Sequence, residues 1–167
     1  MRYKVTFYDF WHLSSGTSAG TKLDSLVVKD EFGLPYLPGK TLKGIVRENI
    51  ELLEPTKAKE IFGDEGSNIA KSYFANATID DDTKEYLKSN KELIKHLFDK
   101  VTSTKIGEDG IADDKTLREI EVVVPMSLTG FIDTDEEELI SQALLMIKQI
   151  GLNRNRGLGR CKVEMIK

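Results

Sequence analysis

Apolar and polar residues alternate through RYKVTFYDF, where Tyr3, Val5 and Phe7 fall on one side. That is the period of a half-buried strand. SSGTSAGT, Ser14 to Thr21, is small and polar throughout and reads as a loop. LDSLVVKDEFGLPYLPGK carries an apolar Leu26-Val27-Val28 patch and two prolines, which predicts extended chain with a short hairpin around KDEFG. TLKGIVRENIELLE then turns helical: Leu42, Ile45, Val46, Ile50 and Leu53 share a face, Thr41 serves as N-cap and Pro55 marks the end. PTKAKEIFG predicts a second short helix stopped by Gly63.

Lys71 to Ile79, KSYFANATI, predicts a second strand. KEYLKSNKELIKHLFDKV has helical spacing at Leu93, Ile94, Leu97 and Phe98. Residues 102–116 are polar, acidic and glycine-containing, the composition of a long protruding loop, and such a loop in a compact domain is usually functional. REIEVVVPMSLTGFI predicts a third strand, with Pro125 at an edge or a bulge. DTDEEELISQALLMIKQIG is the clearest helix: Asp133 or Thr134 caps it, acids crowd its first turn, and Gly151 closes it. Its apolar face is Leu139, Ile140, Ala143, Leu144, Ile147 and Ile150, and RCKVEMI alternates as a last strand.

The major elements thus run strand, helix, strand, strand, helix, strand, the split βαβ or ferredoxin-like arrangement. The predicted class is α+β: an antiparallel sheet with both helices on one face, and an insertion over about 80–117. At 167 residues the chain fits one domain spanning 1–167. No apolar run approaches the roughly 20 residues of a membrane helix, and the N-terminus lacks the features of a signal peptide. A single cysteine, Cys161, allows no internal disulfide, so a cytoplasmic location is expected. Two histidines and one cysteine make a structural zinc site a poor expectation.

The net charge of −4 conceals a partition. Residues 1–50 hold seven basic and five acidic side chains, residues 151–167 five and one, and residues 51–150 twelve and twenty-two. Positive charge therefore sits at the two ends of the chain. If the fold joins those ends, one face is basic, and a basic face binds phosphate whatever the global total.

Two motifs carry that charge. LPGKTLKGIVRE places Gly39 and Lys40 ahead of a helix start, with Lys43 and Arg47 four apart on one face. Helix-start amides and cationic side chains suit an anion, although a solvated basic face has the same spelling. It is not a P-loop, because the GxxxxGK[ST] spacing is missing. NRNRGLGR supplies Arg154, Arg156 and Arg160 around Gly157 and Gly159, whose backbones permit left-handed turns or close approach. Asp24 stands between the serine-glycine loop and the proline-glycine segment, a position that also suits a turn residue. His12, beside Trp11, suits a packed ring, an acid–base group or a stacking platform, and His96 reads as surface.

Three separated segments together resemble RAMP-superfamily proteins of CRISPR effector complexes. They are LDSLVVKDEFGLPYLPGKTLKGIVRE, REIEVVVPMSLTGFI and IGLNRNRGLGR, with IFG at Ile61 to Gly63 and YFANATI in the expected order. The resemblance is greatest to the backbone subunit of type III complexes. It implies an RRM-like palm with a thumb near 102–118, and a filament of copies of this chain along a guide RNA with other effector subunits. Asp24 matches a loop aspartate that cuts paired target RNA with Mg²⁺ or another divalent cation. Gly39, Lys40, Thr41, Lys43 and Arg47 match the guide-binding helix start, and Arg154, Arg156, Gly157, Gly159 and Arg160 the glycine-rich loop. The alternatives are a structural RNA-binding subunit that does not cut, a guide-precursor processing endoribonuclease, and a ferredoxin-like domain that binds a metabolite.

Overall fold

The computed structural model describes residues 1–18, 23–63, 71–104, 106–107, 111 and 116–166. Its centre is a four-stranded sheet built from β1 (Arg2–Phe7), β2 (Tyr73–Phe74), β5 (Ser127–Asp133) and β6 (Cys161–Ile166). The order across the sheet is β2-β5-β1-β6 and every pairing is antiparallel. Val5 sits opposite Leu128 on one side and Val163 on the other. The first and last strands are therefore hydrogen-bonded neighbours, as the ferredoxin-like reading requires.

Strand alternation sends Tyr3, Val5, Phe7, Leu128, Ile132, Cys161 and Val163 to one face, where all are buried. Two helices cover that face: α1 (Gly39–Leu53) through Leu42, Val46 and Ile50, and α4 (Glu137–Leu145) through Leu139, Ile140, Ala143 and Leu144. Burying each such Leu, Ile or Val side chain contributes about 1.5–3 kcal/mol. Asn49 ties the helices together, its side-chain amide donating to the Ala143 carbonyl at 2.9 Å. A short α2 (Pro55–Phe62) follows α1 and ends at Gly63, whose φ of 76° needs glycine. No described helix is long and apolar enough to cross a membrane.

The caps differ from those expected. Helix α1 begins at Gly39 after Pro38, so Thr41 lies inside its first turn. Gly39 fits there because a Cβ would strike the Phe74 carbonyl, and its N–H donates to Asn76 Oδ1 instead. Helix α4 starts at Glu137, and Thr134 acts just ahead of it, accepting from the Glu136 N–H at 3.1 Å. It stops at Leu145 rather than near Gly151, yet Ile147 and Ile150 stay buried in the irregular chain beyond. Helical spacing was thus a true record of burial but not of helix length.

The expected second strand is regular only at Tyr73–Phe74, continued by isolated bridges from Ala77 to Leu37 and Thr78 to Thr129. Between it and β5 lies the insertion: α3 (Asp81–Ser89), a 3₁₀ helix (Lys91–Leu97), β3 (Phe98–Ser103) and β4 (Arg118–Val123). Strands β3 and β4 form a separate two-stranded hairpin, Phe98 opposite Val123 and Ser103 opposite Arg118. The stretch expected as one strand from Arg118 to Ile132 is therefore two, in different sheets. Pro125 stands at the break. Val123 exchanges backbone bonds with Trp11, whereas Met126 already accepts from Phe7 in the main sheet. The helical reading of 84–101 overran as well, since the chain beyond Leu97 pairs as β3. The insertion so extends past residue 117 to the end of β4. Part of the protruding loop expected over 102–117, and the end of the loop at 14–21, lie outside the described residues.

The turn expected at KDEFG is present. Asp30 Oδ1 accepts from the N–H groups of Phe32 and Leu34, each at 2.9 Å, and Gly33 takes a φ of 83°. This holds the proline-glycine segment that leads into α1.

Candidate nucleic-acid interface

Asp24 is exposed and anchored. Its backbone N–H donates to the Glu119 carbonyl at 2.8 Å, and its Oδ2 accepts from the Glu119 N–H at 2.8 Å. Ser25 bridges in parallel to Ile120. The segment carrying Asp24 is thus a third strand-like edge on the β3–β4 hairpin, beside the loop-proximal end of β4, where Glu119 pairs with Thr102.

Behind Asp24 lies His12, fully buried. Its Nδ1 donates to the Glu121 carbonyl, which fixes the proton on that nitrogen, and its Nε2 lies 3.0 Å from Ser25 Oγ. Ser14 Oγ lies 3.1 Å from the same hydroxyl. Of the roles the sequence left open for His12, the packed ring is the one present, since a buried imidazole has no face for a base. Its hydrogen bonds tie the Asp24 segment to β4.

The arginine turn meets the same place. Asn153 and Gly157 both take left-handed conformations, φ 56° and 89°, flanking a short 3₁₀ turn over Arg154–Arg156. Leu152 N–H donates to the His12 carbonyl at 2.9 Å, and Gly159 N–H to the Phe10 carbonyl at 2.7 Å. Leu158 packs with Ile120 and Val122 of β4 in a small cluster, joined by Phe10 and Val101. Asp24, the arginine turn and β4 of the hairpin are therefore one assembly around residues 10–13.

The two glycines of the turn do different work. A Cβ on Gly157 would meet nothing within 4 Å, so this backbone is open to a ligand. Gly159 is buried, and a Cβ there would strike the Ile150 carbonyl. Its close approach is to protein. Arg154 and Arg156 are exposed, while Arg160 pairs with Asp9 at 2.9 Å and lies over the Tyr8 ring.

The helix-start group lies elsewhere. Gly39 packs on Phe74, and Lys43 Nζ stands 6.0 Å from the Phe62 ring, which itself pairs with Phe74. Helix α1 thus begins over β2, one edge of the sheet, whereas the arginine turn feeds β6, the other edge. Three strand spacings separate those edges, about 14 Å. The two basic segments expected to share one surface thus stand near opposite edges of the sheet, and a ligand touching both must span it. Arg47 is engaged with Glu51 at 2.9 Å, and the Gly39 and Thr41 amides are used by Asn76 and Pro38. Lys40 is exposed. What the sequence missed is the pairing of Asp24 with Glu119, ninety-five residues on, for which the chain carries no local signal.

The donor set around Asp24 bears on a cation. Among the described residues no group of three or more His, Cys, Asp or Glu is placed to hold a metal ion. Asp24 offers one oxygen beyond the one that accepts from Glu119. That suits an ion shared with RNA phosphates and water, as Mg²⁺ usually is, and does not suit a cage made by protein alone.

The sequence matches the family described as "RAMPs: RAMP superfamily" over residues 6–162. Among solved structures the chain is similar to one described as "Cryo-EM structure of the Type III-B Cmr-beta bound to cognate target RNA". The TM-score is 0.72 at 14% identity, covering 98% of this chain and 95% of that one. It is also similar to "Type III-B Cmr-beta Cryo-EM structure of the Apo state". There the TM-score is 0.69 at 14% identity, covering 99% and 96%. At that identity the likeness establishes the fold. No curated protein matches.

Proposed function

We propose, from the premise that this chain belongs to the RAMP superfamily, that it is an RNA-binding subunit of a type III CRISPR effector complex. It holds a guide RNA, alongside copies of itself and other subunits, and contributes Asp24 to cutting the paired target RNA. The observation that carries this reading is the convergence of Asp24, the arginine turn and the β3–β4 hairpin at residues 10–13. The similar fold described as bound to cognate target RNA supports it.

The chemistry follows from what each group can do. Arg154 and Arg156 on an open, left-handed backbone hold phosphates, and phosphate contacts position a strand without reading its sequence. Base pairing between guide and target then supplies specificity. The β3–β4 hairpin acts as the thumb that parts the two strands. Glu119 fixes one Asp24 oxygen and so orients the other. A divalent ion such as Mg²⁺, held by Asp24 with water and RNA oxygens, would supply neutralising charge at the scissile phosphate. The ribose 2′-hydroxyl gives up its proton to water and attacks that phosphate in line, the bond to the 5′-oxygen breaks, and that oxygen leaves as a hydroxyl on taking a proton from water, with a 2′,3′-cyclic phosphate on the other fragment. One carboxylate makes a slow catalyst that depends on distortion of the target. Localisation in the cytoplasm accords with a lone, buried cysteine.

A second reading has its own support. The hydrogen bond from Glu119 gives Asp24 a structural task, and no cluster of metal-ligating residues surrounds it among the described residues. In that case the subunit binds RNA without cutting. The test is purified effector complex carrying Arg154→Glu with Arg156→Glu. Loss of guide RNA from the complex is expected; full guide occupancy would remove the arginine turn from the interface.

A further inference from the structure

Lys84, Lys88, Lys91 and Lys95 recur at spacings of four, three and four, inside the most acidic part of the chain. Such spacing lines one side of a helical segment. The first two lie on α3 and the second two on the 3₁₀ helix. All of them border the turn at 30–33. Lys88 Nζ stands 4.3 Å from the centroid of the Phe32 ring and Lys84 Nζ 5.8 Å. On the other wall Lys29 Nζ lies 4.1 Å over Phe98.

Lys29, Phe32, Lys91, Ile94, Lys95 and Phe98 line an open groove of about 520 Å³. Three of the surrounding lysines already have carboxylates: Lys29 with Glu121, Lys84 with Asp30 and Lys88 with Glu85. Lys91 and Lys95 are exposed, and among the described residues neither is ion-paired. Phe32 remains 42% exposed although it is a large apolar ring. Phe98 and Glu121 also border an adjoining recess with Leu23, Asp99 and Lys100, so the groove continues as far as Leu23, the residue before Asp24.

We propose that this groove is a track for an unpaired stretch of the target strand on which Asp24 acts, with phosphates on Lys91 and Lys95 and a base stacked on Phe32. The inference rests on the proposed function and deepens it, because it assigns the substrate strand a path separate from the arginine turn. Cations alternating with an exposed aromatic ring suit a nucleic-acid strand: phosphates take the charge and any base offers a face to stack. An acidic protein segment would use the lysines but leave Phe32 without a task, and would gain nothing from continuity with Asp24.

The experiment uses the purified full chain and a fluorescein-labelled, uridine-only RNA, with anisotropy read across a salt series. Lys91→Glu with Lys95→Glu lowers affinity about tenfold and flattens the slope of log K against log salt by about 1.4, two single-strand phosphate contacts. Phe32→Ala lowers affinity with the slope unchanged, as loss of a stacking face does. Both sites are exposed, so the variants keep the wild-type melting curve. Unchanged affinity and slope in the lysine pair overturn the track; if Arg154→Glu with Arg156→Glu still weakens RNA binding, the proposed function survives that failure. Unchanged affinity in both pairs overturns both. Polyglutamate binding that depends on Lys91 and Lys95, with RNA binding intact in the variant, overturns the track in favour of an acidic protein partner.

Discussion

Asp24 has two separable tasks, and two substitutions separate them. As an acceptor, its Oδ2 satisfies the Glu119 N–H at 2.8 Å near the loop end of the hairpin. As a carboxylate, it carries the charge that target cutting uses. Asp24→Asn keeps an oxygen at the same position and removes the charge. Asp24→Ala removes both. Losing this hydrogen bond at an exposed site costs about 0.5–1.5 kcal/mol, a fall of about 2–4 °C in melting temperature per kcal/mol for a domain of this size. Asn retains most of that bond, so its melting curve overlays the wild type. Cutting behaves in the opposite way. If the carboxylate acts on the reaction, Asn loses as much as Ala, about 100-fold or more, the usual scale for a positioned acid–base or metal-binding group. The assay is cleavage of a radiolabelled target by complex assembled with each variant, beside thermal denaturation of the isolated chains. Wild-type cutting by Asp24→Asn, with loss only in Asp24→Ala, would show that Asp24 merely braces the hairpin.

Gly159→Ala forces a φ of 73° on a residue with Cβ and drives it into the Ile150 carbonyl, whereas Gly157→Ala meets only open space at φ 89°. The left-handed conformation alone costs about 1–2 kcal/mol, so urea denaturation should show that loss for Gly157→Ala and a larger one for Gly159→Ala. Burial pushes the Cys161 thiol up to about 12, so native protein should resist a thiol reagent at pH 8 and react fully once unfolded in urea. Asp80 Oδ1 accepts from the Thr83 N–H at 2.9 Å as the cap of α3, and that bond holds its carboxyl below the usual range. A depressed carboxyl stabilises the fold above its unfolded value and loses that contribution as pH falls. Asp80→Ala should therefore cost about 1 kcal/mol near neutrality, and the gap to wild type should narrow below about pH 4.

Much of the palm was legible because its signals are local. Alternation at Tyr3, Val5 and Phe7 and the apolar face of Leu42, Val46 and Ile50 record burial directly, and the fold honours both. The KDEFG turn was legible for the same reason, since Asp30 and Gly33 meet the turn's needs within five residues. The hairpin was not. REIEVVVPMSLTGFI is uniformly strand-like, and nothing within it says that Val123 turns to Trp11 while Met126 turns to Phe7. Phe98 to Val101 reads as the end of a helix, and Thr102 and Ser103 as loop, until a partner from Arg118 to Val123 claims them. The site suffered most from this blindness. Arg154, Arg156 and Asp24 were recognisable as residues, but their meeting depends on Leu158 packing on Ile120 and on His12 bonding both Ser25 and Glu121. The basic start of α1 was legible as charge, yet its anchorage over Phe74 sends it to the far edge of the sheet.

Purifying the assembled complex from the native host and sequencing the RNA retained with this subunit tests the account at its centre. Short RNAs of uniform length sharing a common repeat-derived end, retained by the wild type and lost with Arg154→Glu and Arg156→Glu, are the expected result. A subunit that comes away free of RNA, or with a random sample of cellular transcripts, would contradict it.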